Sequence, residues 1–399
     1  MRPITWLGAV SALGLLGAAA ACATAENGVA EPPETDVKVP VDVPSDAGAA
    51  VDASDASVDA GPCSSAGLCI VPAPIDGLVN VTSISGSGPT DVWAVGSNRT
   101  VLHYDGSAWD KTVIVDEKIA SVTMRAVWVG GPADVWIADG LYIRHSTGWK
   151  ANATEWTTWM GATGDMNGLP MAISGVAGRV FIGRQVSGAF APPPPIVTCT
   201  GMDAAGPIER EDVTDLALDR DDDPYKWGIS SGVWSISTIR PDEAWVAKFA
   251  SPRVARIYRA TADGGEDAGA SWVVEEHDTH SSKNILGVWG DEQAVWLVGD
   301  SGTVRRMTRE RISTRLFEAV PAPATATLRG IYGLSANDVW AVGDDATVIH
   351  WNGEVWSRLA TPFDTAREKP TLISVWGSGP NDVWIGGNGV MLHFEGKTP

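Results

Sequence analysis

Basic residues are scarce. The 399-residue chain carries 29 Lys and Arg against 49 Asp and Glu, a net charge of −20. Phosphate contacts need a positive face, so nucleic-acid binding is excluded. A charge-driven contact with an anionic membrane surface is disfavoured for the same reason. Tyrosine is limited to five residues, and Tyr104 and Tyr332 fall at repeat positions. That weakens a sialidase-like reading, which needs a Tyr nucleophile beside an arginine cluster and a carboxylate. Arg305, Arg306, Arg309, Arg311 and Arg315 are dense but run along one repeat, and read as a charged outer face. No Ser-His-Asp arrangement and no phosphate-cradling loop is visible, so an enzyme is not expected. Helical periodicity is missing from most of the chain.

What is abundant is Gly, Pro and Trp, at 44, 25 and 19 residues, the composition of a turn-rich, aromatic-cored β protein. The tryptophans are periodic. Asp91-Val92-Trp93-Ala94-Val95-Gly96 returns at Asp338–Gly343, with relatives at Asp134-Val135-Trp136, Ala294-Val295-Trp296 and Asp382-Val383-Trp384. With Trp245 included, the motif tryptophans stand at 93, 136, 245, 296, 340 and 384. Such spacing is the mark of a blade-by-blade architecture. Each repeat reads as four strands: a V-W-G run (Ala126-Val127-Trp128, Gly232-Val233-Trp234, Gly287-Val288-Trp289, Ser374-Val375-Trp376), the D-V-W run, a V-x-H run, and a strand opened by Trp109, Trp149, Trp272 or Trp356. Gly-Pro turns and the Asp105-Gly106 and Asn352-Gly353 hairpins separate them.

The expected fold is therefore all-β: a seven-bladed β-propeller over 63–399, with blades starting near Thr82, Arg125, Ile173, Gly232, Gly287, Gly330 and Ser374. The last blade holds three strands, and Cys69–Pro74 supplies its fourth by pairing with Val390–Phe394, closing the ring and removing two sheet edges. An eight-bladed or irregular ring remains the alternative, because 184–231 has room for another blade. A buried Trp removes roughly 150–250 Å² from water, some 4–6 kcal/mol as an upper bound, so the Trp stripe reads as core.

Residues 1–21 read as a signal peptide, with Arg2 before an apolar run from Ile4 to Ala21. Leu16-Gly17-Ala18-Ala19-Ala20-Ala21-Cys22 resembles the lipobox of bacterial lipoproteins, which implies diacylation of Cys22; Ala19 departs from the usual Leu, and plain cleavage near Cys22 is the alternative. With Ala23 rather than Asp after the Cys, the likeness implies an outer-membrane lipoprotein. Residues 23–62 carry nine acids and Lys38, and read as a disordered tether spanning roughly 35 Å. Such Asp/Ala/Ser tethers resemble those of myxobacterial surface proteins. Cys63 and Cys69 flank a short loop whose closure as a disulfide contributes about 2–2.5 kcal/mol, leaving Cys199 as a lone thiol; other pairings stay open.

His103-Tyr104-Asp105-Gly106-Ser107-Ala108-Trp109 and His350-Trp351-Asn352-Gly353-Glu354-Val355-Trp356 resemble the turn of Asp-box (BNR-type) repeats and of photosystem II assembly-factor-like propellers. The likeness implies the fold over about 70–399 and transfers no activity.

Candidate sites are few. His103, His145, His350 and His393 recur once per repeat, too dispersed to ligate one metal, and read as structural. His277 and His280 form an H-x-x-H pair without a third ligand. Asp219, Asp221 and Asp223 alternate as in an oxygen-rich calcium loop, although a solvated acidic loop is the preferred reading and no cofactor is expected. Trp156, Trp159, Tyr225 and Trp227 fall outside the register, where insertions in repeat proteins map to a binding face. The expectation is thus an exported, outer-membrane-anchored recognition or scaffold module for an envelope or extracellular protein or polysaccharide. A degenerate carbohydrate-active enzyme is the alternative.

Overall fold

A computed structural model describes residues 62–112, 114, 122–150, 154–159, 168–176, 178–186, 196–203, 206–213, 231–248, 250–260 and 271–396. The segments expected to be signal peptide and tether, before Pro62 and with Cys22, lie outside the described residues.

The strands form five four-stranded antiparallel sheets and one of eight strands. The eight-stranded sheet is two successive meanders of four, joined where Gln185 and Val186 pair with Gly232 and Ser231. The first strands of the meanders are Val81–Gly88, Ala126–Gly131, Gly168–Val176, Ser231–Arg240, Ile285–Gly290, Leu328–Ser335 and Leu372–Gly379. We number the units one to seven in that order. Each first strand packs beside the first strands of the units before and after it in a closed cycle, so unit seven meets unit one. This is the arrangement of a β-propeller.

Closure is made by an early segment. Leu68–Ile70 pairs with Leu392–Phe394 as the outer strand of unit seven, and Val71 N–H continues the ladder onto Met391 O. Regular pairing begins one residue before the expected segment and stops at Ile70, because Pro72 and Pro74 have no N–H to donate. The Cys63–Cys69 disulfide is formed. It folds Pro62 back so that Ile70 donates to Pro62 O, covering part of the new edge.

The second-strand tryptophans Trp93, Trp136, Trp245, Trp296, Trp340 and Trp384 are all at most 2% exposed. Phe181 stands in their place in unit three, buried and facing Ser174 across the strand pair. An outer-strand aromatic of one unit meets the second-strand aromatic of the unit before it edge-on. Trp109 lies on Trp384, Trp272 on Phe181, Phe317 on Trp245 and Trp356 on Trp296, with centroids 5.1–5.7 Å apart and planes at 84–89°, the geometry aromatic quadrupoles favour.

The first strands are joined by two kinds of contact at one repeated position, the residue facing the second-strand aromatic. Where it is serine, its hydroxyl accepts a backbone N–H of the next unit: Ser85 from Val129 at 3.1 Å, Ser174 from Thr238 at 2.9 Å, Ser237 from Gly290 at 3.1 Å. Where it is tryptophan, the ring lies on a glycine of the next unit. A Cβ at Gly86, Gly175 or Gly333 would collide with Trp376, Trp128 or Trp289. A polar side chain saves a buried N–H from being orphaned; an aromatic one fills the same space and requires its neighbour to have no side chain.

Unit four departs from the sequence reading. Gly232-Val233-Trp234 copies the V-W-G run, yet it stands earlier on its strand, with Trp234 at the register shift that units one, five, six and seven also carry, and Ser237 takes the position facing Trp245. Trp234 is left outside the register, 37% exposed.

Candidate functional site

The D-V-W and V-x-H runs are two halves of one device. In unit one, Asp91 Oδ1 accepts from the Trp93 indole N–H at 3.0 Å and lies 2.8 Å from His103 Nε2. The same clamp joins Asp134, Trp136 and His145 (2.6 and 2.9 Å), and Asp338, Trp340 and His350 (3.2 and 2.8 Å). Asp382 and His393 repeat its acid–imidazole contact at 2.6 Å. Burial raises the carboxyl pKa of Asp91, Asp134 and Asp382, but hydrogen bonds, the histidine foremost, outweigh it and leave all three below the usual range. The carboxylate reaches across to the third strand and fixes the indole, so these histidines hold strands together and are not gathered at one centre.

Units three to five solve the same problem differently. Glu243, 1% exposed, takes the acid position of unit four, and Arg256 faces Trp245 where histidine stands elsewhere. Glu243 accepts from Arg240 at 2.6 Å, Arg256 at 2.8 Å and Arg309 of unit five at 2.6 Å. Burial pushes its carboxyl up, and these three hydrogen bonds bring it down to about 2. Arg306 lies over Trp296 and Trp351 at 5.0 and 5.8 Å, and Arg305 donates to the carbonyls of Thr279 and His280. Arg305, Arg306 and Arg309 are thus joints between elements, in place of the solvated face expected. His277 is buried against Trp245 and Glu275, its pKa lowered by burial. His280 is exposed, so the H-x-x-H pair does not converge.

Trp156 and Trp159 belong to the packing. Trp156 meets Trp93 of unit one at 5.9 Å and 86°, which is the edge-on joint made by Trp109, Trp272 and Trp356 in their units. Trp159 ends the outer strand Thr157–Trp159 and packs on the core beneath Trp136 and Val197. Trp149, the residue expected to open that strand, stacks on His103 at 4.6 Å. The chain between the third and outer strands of unit two is simply longer, and the extra residues displaced the tryptophan from its expected number. Tyr225, Trp227, Asp219, Asp221 and Asp223 lie outside the described residues. Among the described residues no group of three His, Cys, Asp or Glu is placed to hold a metal.

The concave feature is the channel ringed by the first strands, a cavity of about 840 Å³. Strand direction fixes which connections meet it. First strands start, and second strands end, at the same mouth, where Asn80, Ser97, Arg125, Met171, Trp234 and Asn388 line the wall. Of the six large hydrophobic side chains most exposed, four lie on connections or strand starts at this face: Leu78 (88%), Leu141 (41%), Leu169 (41%) and Trp234 (37%). They belong in order to units one, two, three and four. On units five to seven the equivalent rim is polar and internally bonded, with Asn284 on Asp300 at 2.8 Å and Arg329 on Asp344 at 2.6 and 3.0 Å. Neither Trp234 nor Arg125 is marked in the sequence: the first is disguised as a repeat residue, and the second occurs once.

No family model matches the chain, and no curated protein does. Solved structures do. YCF48 bound to a D1 peptide is 14% identical, covering 82% of this chain and 96% of that one, with a TM-score of 0.58. YCF48 from Cyanidioschyzon merolae gives 16%, 83%, 99% and 0.57. Virginiamycin B lyase from Staphylococcus aureus, as its selenomethionine form, gives 11%, 82%, 98% and 0.56. At such identities the likeness is one of fold alone, and the fold it shows is that of a repeat-built β-propeller.

Proposed function

We propose that the protein is a binding module: a seven-bladed propeller, closed by Leu68–Ile70, that holds an envelope or extracellular protein on the mouth of its channel. In this reading the chain is exported, Cys22 carries the lipid that fixes it to the outer membrane, and the acidic tether sets its distance from the surface. The protein presents a partner rather than transforming it.

The single observation that carries the reading is the arc of Leu78, Leu141, Leu169 and Trp234 around an open cavity. Exposed apolar side chains gathered on one face mark interaction surfaces, and Trp is a common anchor of such surfaces. The peptide held by one of the like folds supports a polypeptide partner.

The test is capture from detergent-solubilised envelope by the full-length protein, compared with Trp234→Ala and with Trp156→Ala. Loss of a captured protein with Trp234→Ala, whose fold stays intact by thermal melting, supports the reading. Capture that survives Trp234→Ala and Leu169→Ala together refutes the mouth as the binding face. Release of Cys22→Ser into the soluble fraction checks the anchor; an unmodified Cys22 in the mass spectrum of the native protein refutes it.

A further inference from the structure

We infer that the channel mouth receives a carboxylate of an acidic polypeptide segment, and that Arg125 is the group that binds it. This rests on the mouth being the binding face proposed above.

The cavity wall is electrostatically opposite to the protein. Acids outnumber bases by 49 to 29 along the chain, yet among the described residues the charged side chains lining the cavity are Arg125 and Arg329, with no Asp or Glu. The two arginines are not equivalent. Arg329 is closed in a two-pronged pair with Asp344, Nε at 2.6 Å and an Nη at 3.0 Å. Arg125 has no acidic partner among the described residues. Its backbone N–H donates to Ala138 O at 2.7 Å, which pins its Cα at the rim. Its stem runs past Gly140, where no side chain hinders it. Arg125 is exposed, and its guanidinium offers a planar fork of donors suited to a carboxylate. Set in the mouth of a narrow channel, it focuses potential into the opening while the surrounding acids repel anions elsewhere.

The neighbours decide what carries the carboxylate. Leu78, Leu141 and Leu169 are aliphatic and set at separate points of the arc, an arrangement that fits the side chains of a polypeptide. A sugar ring asks for exposed flat aromatic faces; Trp234 is exposed at the mouth, whereas Trp128, Trp289, Tyr332 and Trp376, which also line the cavity, are engaged in packing between the first strands. Asn80 and Asn388, exposed at the same mouth, supply amides that both donate and accept, as peptide groups require.

The experiment is titration calorimetry of the full-length protein with a Glu-rich Glu/Leu copolymer, a Lys/Leu copolymer and polygalacturonate. The expected result is binding of the Glu/Leu copolymer that weakens with added salt, falls about tenfold or more with Arg125→Glu, and falls by less with Arg125→Lys, which keeps the charge and loses the fork. Thermal melting monitors the fold, and Arg125→Gln substitutes if Arg125→Glu does not fold. Equal affinity of the wild-type and charge-reversed proteins overturns the inference. Tighter binding of the Lys/Leu copolymer does so as well, and binding of polygalacturonate alone assigns the site to a sugar acid and overturns the peptide. An envelope protein captured through Trp234 but indifferent to Arg125→Glu overturns the acid contact and leaves the face. Capture of nothing removes the face itself.

Discussion

Units one, two, six and seven repeat an Asp–His clamp, while units three to five are joined by ion pairs that cross from one unit to the next. The difference shows in what each leaves behind. A clamp is closed within its own unit: Asp338 meets Trp340 and His350 and nothing beyond. Glu243 depends on Arg309 of the following unit, and Glu211 of unit three takes Arg259 and the Trp272 indole of unit four. Clamped units are interchangeable copies; unclamped ones are specific to their neighbours. Two of the three unclamped units are also the ones whose first strands deliver Leu169 and Trp234 to the mouth.

Breaking the ion-pair side has the largest expected effect. Glu243→Gln leaves three arginines without their carboxylate in a buried place, a loss of about 3–5 kcal/mol, read as a lower midpoint in urea. Acid reads the same pair. The folded carboxyl titrates at about 2 against an ordinary 4.5, so its stabilisation is complete above about pH 4.5 and is lost as pH falls through about 2, roughly 3 kcal/mol in all. Wild-type stability should therefore fall between those limits more steeply than that of Glu243→Gln; parallel curves would show that the pair contributes nothing.

Next comes the pair of tryptophans that the register confuses. Trp156→Ala empties an edge-on joint and should cost about 3 kcal/mol, whereas Trp234→Ala, on the exposed rim, should stay within about 0.5 kcal/mol. Equal losses in thermal melts would mean that Trp234 is packed after all. The smallest effect belongs to a clamp. Asp338→Asn keeps the shape and weakens two hydrogen bonds, for about 1–2 kcal/mol; a loss as large as that of Glu243→Gln would erase the distinction between the two kinds of unit.

The repeat was readable because the clamp needs Asp, Trp and His at fixed offsets, so its chemistry prints itself in the sequence four times. The closing strand was readable from the three-strand remainder after Ser374, its start to within a residue, while its end falls at Ile70, four residues short of the expected Pro74. The unclamped units were not, because Glu243 and Arg256 do the work of Asp and His in a combination used once. Trp234 was misplaced since a tripeptide can be copied while its strand slips, and only pairing partners reveal the slip. Trp156 was misplaced for the opposite reason: its geometry is repeated, but a longer connection changed its number. Arg125 carries no local signature. It matters only because the wall around it shows no acid among the described residues, and that wall is assembled from residues far apart in the chain.

The pairing of Leu68 with Phe394 also imposes an order in time. Contacts so distant in sequence are the slow ones to form, and here the two partners lie near opposite ends of the propeller. During synthesis the early strand must wait, with its backbone groups open to other chains, until all the intervening units exist. A ring of this kind therefore has one late, decisive step. Refolding should show fast formation of local meanders and a slower phase that disappears when residues 63–75 are deleted, leaving a product with an open edge and a tendency to associate.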